Sequence, residues 1–556
     1  MQDFRADNLA FAAAMTGPEV VILGGGVNGV ATLRDLALNG VSCALIDAED
    51  FCMGATSASS RMAHGGLRYL EGREFRLVAE SARERNLLIA HAPHLVRPLE
   101  ITVPLRHLVS GFARSIGRFM GLTRQGGPLS YVALEGALRV YEALGRRTHP
   151  LPSHRTVLRR SAFPKGLGRD TRAVVSYYDG QIIQPEGLVF EMLGEALATG
   201  NACALNHVQW MREGDAIAVA DPIGGERMTL RPRVIVNATG AAIDLVNADL
   251  GARTSYLRGI KGAHLVLHHS GLHARMDGRA YYFDDGTGRM VITLPVGDNV
   301  LVGTTEVETT SPEDRGIADA EITYLMGAIN ALFDDITITR EHIVALTTGI
   351  RPLRRGDGGA SVTSAARDHA LEEDRISGLT PPVLSLVGGK WTTFRAFGEE
   401  TADRVLTLLG RRRETSTRDR AYPGAAPIVP ADLASLGIAP DLGARLIDRY
   451  GALARDVARY CDGEGANALV DAPQFCRGEV VYAIHARGAL QVEDIVLRRL
   501  RLTYGAGLSA RTLSDIAEIL RRETGRNAAE IRAECDAALC DPRIIGLRPW
   551  PIEGAA

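Results

Sequence analysis

The chain has 556 residues, of which 46% are hydrophobic and 23% charged, a balance that excludes a largely disordered protein and, at ~100–200 residues per domain, implies about two to four domains. Its 63 basic side chains nearly cancel its 66 acidic ones, leaving a net charge of -3 and an isoelectric point near 6.6, which excludes a dedicated nucleic-acid binder. Seven scattered cysteines (Cys43, Cys52, Cys203, Cys461, Cys476, Cys535, Cys540) form no C-x-x-C pair, so no disulfide framework and no metal site are expected, and a reducing compartment is.

In chain order, residues 9–15 are apolar but flanked by Asp3 and Asp7 rather than by basic residues, and no apolar run reaches the ~18–20 residues of a spanning helix. Neither a signal peptide nor a transmembrane segment is read. Glu19-Val20-Val21-Ile22-Leu23 predicts a strand that stops at Gly24-Gly25-Gly26-Val27-Asn28-Gly29, after which residues 30–39 continue as a helix. Gly24, Gly26 and Gly29 match G-x-G-x-x-G, in which a tight turn, a close backbone approach to pyrophosphate and close helix-strand packing each exclude a side chain. Gly40 ends the helix, residues 42–46 form a second strand, and Asp47 falls where a carboxylate holds ribose hydroxyls.

Small, hydroxylated and glycine-bearing residues follow from Thr56 to Gly66, allowing backbone to approach a bulky flat ligand. Residues 74–91 predict a helix ending before Pro93. In residues 106–124, Val109, Phe112, Ile116, Phe119 and Met120 share one helical face while Arg114 and Arg118 project from the other, suiting either an anionic lipid surface or the protein's own core. Residues 234–240 read as an apolar strand ending in the small-residue turn Ala238-Thr239-Gly240. Residues 280–283, 289–294 and 300–304 read as an antiparallel meander. Beyond residue 405, Arg411-Arg412-Arg413 and residues 423–430 read as a linker, followed by helices with Val492, Ile495, Val496 and Leu500, then Leu513, Ile516 and Leu520, near the 3.6-residue period. The arginine patches at 411–413 and 498–501 are read as solvated faces.

The run from Ser57 to Leu70, ending His64-Gly65-Gly66-Leu67-Arg68-Tyr69-Leu70, closely resembles the FAD-dependent glycerol-3-phosphate dehydrogenases, membrane-associated flavoproteins that pass electrons to quinone. Four further motifs follow in the family's order: Ile260-Lys261-Gly262-Ala263-His264, Val302-Gly303-Thr304-Thr305-Glu306, Gly349-Ile350-Arg351-Pro352-Leu353, and Gly388-Gly389-Lys390-Trp391-Thr392-Thr393. The resemblance implies a mixed α/β fold: a Rossmann-like FAD-binding domain of the glutathione-reductase or D-amino-acid-oxidase type, an inserted antiparallel-sheet substrate domain, and a C-terminal helical domain. The expected divisions are 17–100, 150–248 and 345–405 for the FAD domain, 101–149 and 249–344 for the substrate domain, and 415–545 for the helical one.

It also implies noncovalent FAD on Gly24, Gly26, Asn28, Gly29, Asp47, Thr56, Ser57, Ser59, Gly65, Gly66, Val208, Ala238, Thr239, Gly240, Gly389, Lys390, Trp391 and Thr392. The expected partners are a small polyol phosphate, quinone and a membrane surface on the cytoplasmic side of the inner membrane, with a homodimer left open; the alternatives are an oxidase relative that passes electrons to oxygen and a flavin-binding scaffold without turnover. Oxidising a secondary alcohol by hydride transfer to flavin N5 needs a base for the hydroxyl proton and, for a phosphate ester, a forked cationic anchor. By resemblance Arg68, Tyr69, Thr304, Arg351 and Lys390 surround the substrate, with Arg351 also at the catalytic position. His64 and His264 are the candidate bases, each equally suited to holding a loop by hydrogen bonds. Two departures from the family, Val296 for an aromatic residue and Glu306 for Asp, leave the identity of the polyol phosphate open.

Overall fold

The structure, a computed structural model, describes residues 3–14, 17–67, 75–109, 131–145, 151–355, 369–505 and 507–547. Among these, six strands form a nucleotide-type sheet in the order Ala370–Asp374, Val383–Val387, Val234–Asn237, Val20–Leu23, Cys43–Ile46, Ala202–Leu205. All neighbours are parallel except the edge pair Ala370–Asp374 and Val383–Val387. Successive strand residues point to opposite faces, and here both faces are buried, so the strands are apolar throughout. Val20 and Ile22 pack with the helices Val27–Leu38, Pro185–Ala198 and Phe394–Leu409, while Val21 and Leu23 pack with Ile217, Val219 and Leu230 of a three-stranded antiparallel sheet. The helices Val27–Leu38 and Phe394–Leu409 touch at Gly398, where a Cβ would lie 2.9 Å from that of Ala31.

A larger, mostly antiparallel sheet stands beside this unit. Its main path among the described residues runs Val307–Thr309, Leu257–Leu267, Asn299–Gly303, Met290–Val296, Ala280–Asp284, Val96–Leu105, Ala173–Ile182, Met62–Ala63, and Ile343–Arg354 pairs along Leu257–Leu267. The expected meander is present as Ala280–Asp284, Met290–Val296 and Asn299–Gly303. The divisions read from sequence fall differently: Ala173–Ile182 and Ile343–Arg354 lie in segments assigned to the FAD domain, yet both are strands of the large sheet. Their pairing partners, Val96–Leu105 and Leu257–Leu267, are distant in sequence, so local patterning could not reveal the sheet they join.

The helix Phe75–His91 matches its expected span, and its buried Glu84 is gripped by Arg395 through Nε (2.7 Å) and Nη2 (2.9 Å). C-terminal helices, including Arg477–Arg487, Ala510–Thr524 and Ala528–Ala538, enclose their own apolar core containing Leu513, Ile516 and Leu520.

One reading of the sequence is corrected here. Arg498 and Arg499 are buried, not solvated: Arg498 donates to Asp494 (2.7 Å) and Asp50, and Arg499 donates to Asp50 (2.8 Å). His207 joins Asp494 at 3.1 Å. Although burial alone would raise the Asp494 pKa, His207, Arg498 and Arg499 hold it well below the usual carboxylate range. The cluster fastens the helical domain to the segment that follows Asp47. Breaking a buried pair from one side typically costs ~3–5 kcal/mol, because the remaining charge stays desolvated. Arg498→Met is therefore expected to lower the melting temperature by several degrees, whereas Arg412→Ala, at an exposed position, changes stability by at most ~0.5 kcal/mol. Thermal unfolding of the two variants checks the contrast.

Candidate flavin and substrate site

The glycine turn takes its shape from contacts that exclude side chains. Gly24 has φ +101°, donates its N–H to Ile46 O at 2.9 Å, and would place a Cβ 2.8 Å from Ala238 O. A Cβ on Gly29 would overlap Gly24 O. Gly26 differs, because a Cβ there would meet only Thr56 Oγ1, at 3.2 Å. Its glycine is thus not demanded by the protein's own packing, and it begins the helix Val27–Leu38, whose N-terminus is suited to an anion. Asn28 Oδ1 is buried without a hydrogen-bond partner among the described residues, and its Nδ2 would lie 3.1 Å from a Cβ on Gly389.

Asp47 accepts the N–H groups of Gly25 (2.6 Å) and Glu49 (2.9 Å), and its own carbonyl accepts Val208 N–H at 3.1 Å. Burial pushes its carboxyl up to about 7 despite those two N–H donors. Ala238 is drawn to this turn by its N–H bond to Leu23 O (2.8 Å); Thr239 donates Oγ1–H to Asn237 Oδ1 (2.6 Å), and Gly240 has φ +61°.

Two distant segments clamp each other above the turn. Thr56 Oγ1 accepts Val27 N–H (3.0 Å), while Thr56 O accepts Trp391 Nε1–H (3.0 Å). Thr392 Oγ1 both accepts from His64 N–H and donates to His64 O, each at 3.1 Å. Gly65 N–H is received by Tyr141 Oη (2.9 Å) and Asp179 Oδ1 (3.1 Å), and the buried Arg85 holds that carboxylate at 2.7 Å. Lys390 Nζ donates to Ser81 Oγ at 3.4 Å on the helix Phe75–His91.

The strand register then sets the substrate face. Ile260 pairs with Arg351, Gly262 with Gly349, and His264 with both Thr347 and Gly303. Alternation puts Ile260, Gly262, His264, Thr347, Gly349 and Arg351 on one side of the sheet and Lys261 on the other, where Lys261 pairs with Asp314 at 3.1 Å. Arg351 donates to Thr304 Oγ1 (3.1 Å) and Glu306 Oε1 (3.3 Å), in space left by Gly262, where a Cβ would sit 2.6 Å from Thr304 Oγ1. His264 is buried, with Nε2 2.8 Å from Ser60 Oγ and Nδ1 without a hydrogen-bond partner among the described residues. Burial, then the charges of Arg351 and Arg61, push its pKa down to about 3, so the imidazole is neutral.

The structure thus brings together Arg351 with Thr304, and His64 with Thr392, as pairs among the residues read from sequence. Arg68 and Tyr69, and residues 110–124 of the amphipathic stretch, lie outside the described residues. Ser57 donates to Gly54 O and Ser59 accepts Arg61 N–H, bonds that keep both hydroxyls within their own loop. Ser60 was missed by sequence reasoning, being one small hydroxyl among several. Tyr141 and Asp179 were missed as well, since nothing near them in sequence marks their bond to Gly65.

The bare amide oxygen of Asn28, the open side of Gly26 and the carboxylate of Asp47 fit a dinucleotide such as FAD, with its pyrophosphate at the helix N-terminus. Comparison with known proteins agrees. Residues 19–404 match the family described as FAD dependent oxidoreductase, and residues 384–531 match the C-terminal domain of alpha-glycerophosphate oxidase. A glycerol-3-phosphate dehydrogenase of Synechocystis is 32% identical across 92% of this chain and 93% of its own. The D-erythritol 1-phosphate dehydrogenase of Brucella abortus is 30% identical across 87% of this chain and 94% of its own. The crystal structure of a Bacillus halodurans glycerol-3-phosphate dehydrogenase with FAD superimposes with a TM-score of 0.73 at 19% identity over 100% of both chains, and so shares the fold.

Two outcomes follow for the nucleotide turn. Gly26→Val is expected to give a folded but colourless protein, whereas Gly29→Ala should lower thermal stability as well, because its Cβ overlaps the turn's own carbonyl; flavin absorbance and melting temperature separate them. Asp47 binds its proton more tightly folded than unfolded, so its ionisation destabilises the flavin-free fold increasingly as pH rises from about 4 to about 7, and fully above that. Asp47→Asn should then raise the flavin-free melting temperature more at pH 8 than at pH 5 while weakening FAD binding. An equal change at both pH values would contradict the buried-carboxylate assignment.

Proposed function

The chain belongs to the FAD-dependent oxidoreductases, within the glycerol-3-phosphate dehydrogenase family, and from that premise we propose that it oxidises sn-glycerol 3-phosphate to dihydroxyacetone phosphate and passes the electrons to a quinone. The observation carrying this reading is the guanidinium of Arg351, held on the face it shares with the neutral His264. A planar fork matches phosphate oxygens bidentately, and Thr304 and Glu306 orient it beforehand. Oxidation removes a hydride from C2 and a proton from its hydroxyl; FAD, when bound, is the hydride acceptor. A neutral imidazole has a lone pair for the proton. A phosphate dianion on Arg351 would offset the positive charge that helps depress the His264 pKa, so substrate binding itself makes the base stronger. His64, held through its backbone by Thr392, is the alternative base.

Attachment to a membrane surface belongs to the same reading, since a quinone resides in lipid. Leu108, Val109 and Val132 are exposed, and Val132 N–H bonds to Leu108 O, so these apolar side chains gather at one place on the surface. No helix among the described residues is long and apolar enough to cross a membrane. A second substrate, a four-carbon polyol phosphate, is suggested by the name of the Brucella relative, a D-erythritol 1-phosphate dehydrogenase, and Glu306 at the Arg351 contact marks the place where the pocket departs from the family.

Arg351→Lys keeps the charge but loses the fork, and is expected to lower kcat/KM for the phosphate ester about ten- to a hundredfold, the equivalent of ~1.5–3 kcal/mol, with FAD still bound. Its weak activity on free glycerol should stay nearly unchanged. Equal losses on ester and glycerol would mean that Arg351 supports the fold or the flavin rather than the phosphate.

A further inference from the structure

Ser60 and His264 meet across 204 residues of sequence, and both are held from elsewhere. Arg61, the neighbour of Ser60, is fully buried, donates to Ile183 O at 3.1 Å, stacks on Tyr504 with its Cζ 3.8 Å from the ring centroid, and accepts Ile182 N–H at 2.8 Å through its carbonyl. Thr56, on the other side, is bound by Trp391. The ring of His264 lies against Gly303, where a Cβ would fall 2.7 Å from Cγ, so only glycine at that position admits the ring in this plane.

A neutral imidazole carries one proton, and the partner of one nitrogen decides what the other presents. If Ser60 donated to Nε2, the proton would sit on Nδ1 as a buried N–H with no acceptor among the described residues. If Ser60 accepts, the Nε2–H is satisfied at 2.8 Å and the buried Nδ1 presents a lone pair that a substrate hydroxyl donor would complete. Resting on the functional reading above, we propose that Ser60 is a positioning residue: its hydroxyl accepts the Nε2–H of His264 and holds the imidazole in the tautomer whose Nδ1 lone pair receives the substrate's hydroxyl proton. In that step the substrate O–H bond breaks and an Nδ1–H bond forms, while the C2 hydride leaves to the cofactor, so the alcohol loses two electrons and two hydrogens.

The test compares wild type, Ser60→Ala and Ser60→Thr as FAD-loaded protein. In 15N-histidine-labelled samples, with the His264 signals identified as those lost in His264→Gln, wild type and Ser60→Thr should show a protonated Nε2 and a bare Nδ1, and Ser60→Ala a mixture or reversal. In anaerobic mixing with glycerol 3-phosphate, Ser60→Ala should keep its flavin content and a half-saturation within about twofold of wild type. Its bleaching rate at saturation should fall about ten- to a hundredfold, and Ser60→Thr should restore most of that loss. A wild-type Nδ1–H tautomer, an unchanged rate in Ser60→Ala, or a loss of bound flavin from that variant would each overturn the proposal. Wild-type protein that no polyol phosphate bleaches would instead overturn the functional reading, whatever the tautomer.

Discussion

The site depends on a clamp between two segments that the chain order keeps apart, the loop from Thr56 to Gly65 and the turn from Gly389 to Thr392. Trp391 bonds to Thr56, Thr392 bonds to His64 through both backbone groups, and Thr56 in turn caps the amide of Val27 at the start of the glycine-turn helix. Each bond contributes only ~0.5–1.5 kcal/mol, but together they tie the nucleotide end of the first sheet to the loop that crosses to the second. The buried Arg85, Tyr141 and Asp179 receive Gly65 on the far side, so the loop is fixed from both directions. The same loop continues into Met62–Ala63, which pairs with Ala173–Ile182 of the large sheet, so Ser60 lies between the two sheets.

Charge is distributed around this clamp with a consistent logic. The cations Arg395, Arg85, Arg498 and Arg499 are matched by buried carboxylates and serve architecture. Arg351 instead meets, among the described residues, the Glu306 carboxylate at 3.3 Å and the neutral Thr304, and its side chain remains 33% exposed. The neighbouring histidine stays neutral because it is buried beside that cation. On the proposed function, this cation, neutral imidazole and glycine-lined backbone would meet the phosphate and the secondary hydroxyl of the substrate.

What was legible in the sequence was local. The glycine turn, Asp47, the meander around residues 280–304 and the helix Phe75–His91 each follow from short-range spacing, and the structure shows them where spacing puts them. The motifs of a known family also named Arg351, Thr304 and Lys390, although only the strand register shows that Arg351 and His264 share a face while Lys261 does not. The misreading of Arg498 and Arg499 as solvated has the same origin as the omission of Ser60. Their partners, Asp50 and His264, lie 448 or 449 and 204 residues away, and a charged or hydroxyl side chain looks surface-bound until its partner is known. Domain divisions failed at Ala173–Ile182 and Ile343–Arg354 for the related reason that sheet membership is a property of pairing.

The proposed function places a polyol phosphate on the arginine-anchored face of this fold for oxidation by FAD. Anaerobic mixing of the purified FAD-loaded protein with glycerol 3-phosphate, erythritol phosphate and free glycerol, followed by flavin absorbance, tests it most directly. Rapid bleaching by at least one phosphate ester, and little by glycerol at the same concentration, is the expected result. Absence of bleaching by every three- and four-carbon polyol phosphate, or equal bleaching by glycerol, would contradict it.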